Sequence, residues 1–311
     1  MPTSEAGRHS PVACPETSQK DPPPELDFIL SDMYCLARDC ARDAVVRKFV
    51  APALELIMLD KALNNKFNRE RSKLLFGEMY ATAVAGDGTV GPGEVALVVG
   101  GELGGGAALL CLATLHLLNQ LLPDELEFGI RTYVKEGRNY NITASGENAT
   151  KLKRFLAVTA PSAGGEYLCE KFGEFVEEAR VEVRLGNIRR TKRGAAADLT
   201  ISEAGIAVKY NVYLSMNAIE LEFRSTDRSR VELAARLLKL AGVSAELKKK
   251  VGGRAEWYVK AATDMLAAGR KELRDALVEI VKTARDNGWV DADKAKRWLE
   301  KLEGGLTLKE G

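Results

Sequence analysis

The chain has 311 residues, 46% of them hydrophobic, which is enough to bury a core and excludes disorder of the whole. Its 45 Lys and Arg stand against 44 Asp and Glu, a formal net charge of +1, so no global field selects a polyanion and any nucleic-acid contact has to rest on local patches. Five Cys without a CxxC pair and only two His (His9 and His116) argue for reduced, packed thiols and against His-built metal centres or triads.

Residues 1–27 are polar, run into Pro22, Pro23 and Pro24, and lack the basic-then-apolar order of a signal peptide; a disordered tail on a cytoplasmic protein is expected. A helical lead segment over 28–68 follows, with apolar residues at helical spacing in 28–49 and 53–64 and a break at Pro52. Leu74, Leu75, Met79 and Val84 form one stripe, which predicts a helix over about 69–85 stopped by Gly86, Asp87 and Gly88. Thr89 with Val90 and the run 94–99 read as a hairpin around Gly91, Pro92 and Gly93. A loop over Gly100 to Gly106 leads into an apolar helix at 107–122, ended by Pro123. Thr114, His116, Asn119 and Gln120 interrupt that helix, so it reads as buried and not as membrane-spanning. Strands at 126–134 and 139–145 and a helix at 148–158 complete the order helix, strand, strand, helix, strand, strand, helix.

The second half repeats that order with one strand added. A helix is predicted at 166–179, paired strands at 198–202 and 206–214, an extra strand at 219–224, and a helix at 228–241 capped by Asp227 and closed by Gly242. Strands at 245–251 and 256–261, turning at Gly252 and Gly253, precede a long helix at 268–285. A last helix at 292–302, capped by Asp291, should pack through Trp298 and Leu302. The expected class is α+β, with two degenerate αββαββα repeats carrying antiparallel sheets over 69–160 and 161–290, then a C-terminal helix and tail at 291–311.

Three constellations bear on function. The glycine-rich loop 100–106 lies between a strand and a helix, where backbone N–H groups can meet a phosphate, but its spacing fits neither a P-loop nor GxGxxG. It supports an alternative reading as a nucleotide or small-molecule enzyme; an interaction protein without chemistry is a further alternative. The second constellation is YATAVAGDG at 80–88, a small-residue helix running into an acidic turn. It resembles the LAGLIDADG homing endonucleases and their non-cleaving relatives: Ala81, Asp87 and Gly88 match that motif, Val84 is conservative, and Thr82 replaces a glycine. The resemblance implies a fold of two αββαββα units, a catalytic role for Asp87, and a second acid at Glu177 or Glu178. It implies Mg²⁺ only if cleavage is retained, and no other cofactor. No Asp-Gly or Glu-Gly follows Glu177 or Glu178, so the expected protein binds without cleaving.

The third constellation is basic and aromatic residues at alternate strand positions. With Phe128, Ile130, Thr132 and Val134 facing the core, Arg131, Tyr133 and Lys135 share the opposite face; by the same parity Lys209, Asn211 and Tyr213 point together, as do Lys248 with Lys250 and Tyr258 with Lys260. Arg189, Arg190, Lys192 and Arg193 crowd what reads as a hairpin tip. This pattern suits phosphate contacts or a solvated, charged face, and Glu220 and Glu222 nearby would repel phosphates. The stretches EVALVVGGELGGG, LNQLLPDELEFGIRTY and EVRLGNIRRTKRGAAADLTIS are similar to the PaREP type-2b paralogous-repeat family of hyperthermophilic crenarchaea. That resemblance covers about 90–303 and implies an archaeal, cytoplasmic protein of a family with no assigned activity. A bias fits such a source: Gln occurs only at Gln19 and Gln120 while Lys, Arg and Glu abound. The expected function is nucleic-acid binding, to DNA or RNA.

Overall fold

A computed structural model describes residues 69–99, 126–135, 139–215, 217–250 and 256–304. The predicted tail, the lead helices, the glycine loop at 100–106, the apolar helix at 107–122 and His116 lie outside the described residues, as do Cys14, Cys35, Cys40 and Cys111.

The described chain opens with α1 (Arg69–Asp87), β1 (Gly88–Gly91), β2 (Glu94–Val99), β3 (Arg131–Lys135), β4 (Asn139–Ser145) and α2 (Glu147–Thr159). A small hairpin follows, β5 (Ser162–Ala163) and β6 (Glu166–Tyr167), with a 3-10 turn at Glu170–Phe172 and α3 (Gly173–Glu178). Then come β7 (Glu182–Thr191), β8 (Gly194–Glu203), β9 (Ile206–Leu214), β10 (Ile219–Ser225), α4 (Arg228–Leu240), β11 (Leu247–Lys250) and β12 (Glu256–Ala262). The described chain ends in α5 (Thr263–Ala267), α6 (Lys271–Asp286) and α7 (Ala292–Gly304). The class is α+β, as predicted. No helix among the described residues is long and apolar enough to cross a membrane.

The chain forms two compact units, one of residues 1–79, 97–127 and 131–142, the other of residues 80–96, 128–130 and 143–311. In the first, Phe76, Leu97, Leu126 and Ile142 are buried. The second contains a six-stranded sheet ordered β11-β12-β10-β9-β8-β7, all neighbours antiparallel. Helix α4 packs on β8, β10, β11 and β12, helix α6 on β7 and β8, and α7 lies against α6. One sheet face is therefore the core. Leu199 and Ile201 of β8, Tyr210 and Val212 of β9, Leu221 of β10 and Val259 of β12 are all fully buried there.

Sheet order links the two halves. The four-stranded sheet runs β1-β2-β4-β3, and the same order recurs as β9-β10-β12-β11, with β8 and β7 added beyond β9. Helix signals in the second half fall where they are expected. The Asp227 carboxylate accepts from the Ser229 amide at 2.9 Å, Val243 N–H reaches back to the Leu238 carbonyl at 2.9 Å past Gly242, and Asp291 accepts from the Lys294 amide at 3.1 Å. Trp298 and Leu302 are buried, as their spacing on α7 predicts.

Three predictions need correction. The helix expected at 166–179 is instead the β5–β6 hairpin, a 3-10 turn and the short α3. Gly164 and Gly165, at φ 60° and 91°, turn the chain, and a Cβ on Gly165 would come within 3.1 Å of the Ala235 backbone. Phe172 and Phe175 stack at 5.2 Å with Tyr167 edge-on to Phe172 at 6.1 Å, an aromatic cluster whose spacing imitates a helical stripe. Second, 182–191 is the long strand β7, a segment whose interrupted alternation predicts no strand. Third, β3 begins at Arg131 and not at 126: Leu126 has 3-10 geometry, residues 127–130 form no regular element, and Gly129, at φ 54°, turns the chain ahead of the strand.

Helix α4 is pinned to the sheet by one hydrogen bond that the burial pattern makes testable. The Tyr210 hydroxyl donates to the Ala234 carbonyl at 2.7 Å, and burial holds that hydroxyl protonated far above its ordinary range. Tyr210→Phe should lower stability by about 1 kcal/mol, read as a shift of the urea midpoint at constant m-value.

Candidate functional site

The outer face of the six-stranded sheet is built by strict alternation. In β9, Ile206, Val208, Tyr210, Val212 and Leu214 are buried while Ala207, Lys209, Asn211 and Tyr213 are exposed. The predicted trio Lys209, Asn211 and Tyr213 therefore does share one solvent face, with Tyr213 38% exposed. Register carries that face sideways: Lys209 stands beside Thr200 and Asn211 beside Asp198 on β8, and Tyr213 stands beside Glu220 on β10. Further across, Arg224 of β10 faces Tyr258 of β12, which faces Lys248 of β11, with Lys250 next to Glu256. The guanidinium of Arg224 lies 5.7 Å from the Tyr258 ring centre.

Strand β7 reaches this face through an irregularity. Gly186 pairs with Asp198 but Arg189, not Ile188, pairs with Ala196, so one extra residue is accommodated at Asn187, whose φ is 45°. The bulge reverses the alternation. It brings Arg189 onto the same side as Arg184, where its Nη1 donates to Asp198 Oδ1 at 3.0 Å. Of the four basic residues expected at a hairpin tip, Arg189 and Arg190 lie within β7; Lys192 and Arg193 form the turn itself. Arg190 pairs with Ala195 and so sits at an inward register position, yet it is exposed because β7 is the sheet edge.

Charges in the middle of the face are paired. Asp198 accepts from Lys209 at 2.8 Å and from Arg189, and these two hydrogen bonds hold its carboxyl below the usual aspartate range. Glu220 pairs with Lys260 at 2.8 Å, and Glu222 pairs with Arg224. The two glutamates expected to repel phosphates are thus neutralised by neighbours on adjoining or same-strand positions. Asp198, Arg184, Arg224 and Lys171 are the contributors that motif reading did not single out. For Asp198 the signal was the β8–β9 register, which sequence reading placed as a pair without fixing its offset.

Arg131 is exposed at the start of β3, while the side chains of Tyr133 and Lys135, on the same strand, lie outside the described residues.

Asp87 is the exposed last residue of α1. The end of that helix is closed by a cation from its own chain: Lys171 Nζ donates to the carbonyls of Val84 and Ala85, each at 3.1 Å, and of Gly88 at 3.0 Å. An ammonium there offsets the negative end of the helix dipole and satisfies carbonyls that have no intrahelical partner. Gly88 is required by contact: a Cβ would sit 2.5 Å from Val84 Cα and 2.9 Å from the Ala96 carbonyl. Glu177, exposed, and Glu178 end α3, at the opposite end of that helix from Lys171. Among the described residues, no group of three or more His, Cys, Asp or Glu is gathered in metal-binding array.

No family model matches the sequence, and no curated protein matches it.

Two outcomes follow from these geometries. Because the folded Asp198 carboxyl titrates below its unfolded value near 3.9, its ion pairs contribute fully above that value and fade as pH falls through the lower folded one. The stability gap between the natural chain and Asp198→Asn should therefore be constant above about pH 5 and close on further acidification, as followed by thermal midpoint against pH. Lys171→Met, which keeps the stem and removes the charge, should cost about 1–3 kcal/mol and speed hydrogen exchange across the last turn of α1.

Proposed function

We propose that this chain binds nucleic acid through the outer face of the six-stranded sheet and the β7–β8 hairpin, and that it does so without cleaving. The observation that carries this reading is the row of Lys209, Asn211 and Tyr213 on β9, flanked by Arg184 and the bulge-directed Arg189 on β7. Guanidinium and ammonium groups meet phosphates, Asn offers both donor and acceptor to base edges or sugars, and an exposed tyrosine ring offers a stacking surface. Asp198, shared by Lys209 and Arg189, lowers the charge between them and so limits nonspecific attraction.

The resemblance to the LAGLIDADG-like repeats supports the same reading, and so does the recurrence of one strand order in both sheets. It also favours a fold in which each sheet belongs to one αββαββα repeat, and the resemblance to the PaREP type-2b family favours a cytoplasmic, archaeal protein. Absence of cleavage is supported by Lys171, whose ammonium already fills the cradle of carbonyls beside Asp87. It is also supported by the position of Glu177 and Glu178 at the far end of α3.

The test is affinity for duplex DNA and RNA across a salt series, for the natural chain and a variant with Arg189, Arg190, Lys192 and Arg193 all replaced by Ala. The natural chain should bind with log affinity falling linearly with log salt. The variant should bind more weakly, with a slope shallower by about 0.9 for each phosphate it no longer neutralises. No binding to either polymer at low salt would overturn the reading. With Mg²⁺ present the DNA should stay intact, both for the natural chain and for Asp87→Asn.

A further inference from the structure

The six-stranded sheet ends in two edge strands, β7 and β11, and an open edge offers its backbone to any strand that fits. β11 is short and carries Lys248, Lys249 and Lys250, which repel a second strand of the same kind. The second half of β7 is guarded by the bulge at Asn187 and by Arg189 and Arg190. Its first half has no such device. Residues 182–186 pair regularly with β8 and contain neither Lys nor Pro; Glu182 and Arg184 stand on the outer face, Val183 and Leu185 on the helix side. Val183 and Leu185 are half-buried, whereas Ile201 and Leu199 beside them on β8 are fully buried.

Register shows which backbone groups this segment turns outward. Ser215 N–H donates to the Ala218 carbonyl at 3.0 Å, so Ser215 points its polar groups toward β10; by alternation Leu214, Val212, Tyr210 and Val208 point theirs toward β8. Their partners Ala195, Ala197, Leu199 and Ile201 answer them, which leaves Asp198, Thr200 and Ser202 facing β7. On β7, then, Glu182, Arg184 and Gly186 hold the ladder to β8. Arg180 N–H is in phase with them and donates to the Glu203 carboxylate of β8. Val183 and Leu185 turn N–H and C=O away from the sheet, on a side that no strand occupies among the described residues.

A second β7 approaching antiparallel places one residue opposite its own copy on a twofold axis, and the side chains leave one choice. Centring on Glu182 sets carboxylate beside carboxylate, and centring on Arg184 sets guanidinium beside guanidinium. Centring on Leu185 sets Val183 against Asn187, in the bulge. Centring on Val183 sets Glu182 beside Arg184 of the second copy, twice, and Leu185 beside the apolar Val181 that precedes the strand. Its outward groups then exchange roughly six hydrogen bonds between the copies. Arg184 Nη2 already lies 3.2 Å from Glu182 of its own strand, and both side chains are largely exposed, so each carboxylate would stand between two guanidinium groups. We propose that two copies of this chain pair antiparallel through residues 181–185, with the axis at Val183. The axis is normal to the sheet, so the two sheets become one, with both outer faces on one side and both helix layers on the other. This pairing is independent of the nucleic-acid reading.

The experiment is sedimentation equilibrium of the full chain over a range of protein concentrations. Beside it run Glu182→Arg, Arg184→Glu, an equal mixture of those two variants, and Val183→Pro. Either charge variant alone sets like charges opposite each other at both contacts, whereas a mixed pair of the two restores opposite charges at both. Val183→Pro removes an N–H that faces outward and takes no part in the ladder to β8, a position where an edge strand accepts proline. Thermal midpoints show that each variant folds.

The natural chain should pass from monomer to dimer as its concentration rises. Each charge variant alone should associate about tenfold more weakly or worse, and their mixture should recover the natural strength as a mixed dimer. Val183→Pro should stay monomeric; should that variant fail to fold, the mixture decides the question by itself. A natural chain that is monomeric throughout overturns the pairing. So does a dimer indifferent to both charge variants, or to proline in a folded chain, since its interface then lies elsewhere. A mixture no stronger than its components overturns the register at Val183. None of these outcomes touches nucleic-acid binding, which is measured separately.

Discussion

The antiparallel register between β8 and β9 is the constraint on which both the core and the candidate interface depend. Ala195, Ala197, Leu199 and Ile201 pair with Leu214, Val212, Tyr210 and Val208, and every one of these side chains is buried on the helix side. Slipping the pair by one residue would expose that whole row and bury Lys209, Asn211 and Tyr213 in its place, a cost of many kcal/mol that no surface ion pair offsets. The polar face is thus fixed indirectly. Its residues lie where they do because their neighbours cannot lie anywhere else.

Once the face is fixed, charge pairing divides it. Surface ion pairs contribute little to stability, and their larger effect here is on the field that approaching ligands meet. Asp198 takes Arg189 and Lys209 together, so one small, well-placed carboxylate cancels half of the positive charge that these two side chains bring to the middle of β7, β8 and β9. Glu220 and Glu222 likewise offset Lys260 and Arg224 on β12 and β10. The two edge strands retain what is left. Such edges are also where a sheet must avoid pairing with another chain, and Lys or Arg on short or bulged edge strands serves that purpose as well. The same cations can meet both demands, since repelling a strand edge and attracting a phosphate both need exposed positive charge.

Much of this was legible in the residues. The α+β class, the caps Asp227 and Asp291, the β9 alternation and the shared side of Tyr258 and Lys260 all follow from patterns local enough to read over a few positions. What escaped was non-local or out of phase. In β7, Val183 and Leu185 begin an alternation that Gly186 and Asn187 interrupt, and the bulge moves Arg189 to the side opposite the one simple parity assigns. Tyr167, Phe172 and Phe175 are spaced like a helical stripe, yet they cluster through a hairpin and a turn, because the paired glycines before them favour a turn over a continued helix. The contact of Lys171 with the end of α1 joins positions more than eighty residues apart, and no local pattern marks it.

That last contact also bears on how a binding fold and a cleaving fold can differ. A helix that ends in an acidic turn concentrates carbonyl dipoles and a carboxylate at one point, an arrangement that calls for a positive charge. A mobile cation at such a point can exchange, polarise water and take part in chemistry; a tethered ammonium cannot leave and offers no open coordination position. Lys171 supplies the charge in the second form, hydrogen-bonded to Val84, Ala85 and Gly88 while Asp87 stays exposed beside it. The same electrostatic demand is met, and the fold is held, by a group that does nothing further. The cations on the sheet have the opposite character: among the described residues Arg190, Lys192, Arg193, Lys249 and Lys250, on the edge strands and the β7–β8 turn, have no carboxylate within 4.0 Å, so the charge available to a ligand lies on the sheet and not at the helix end.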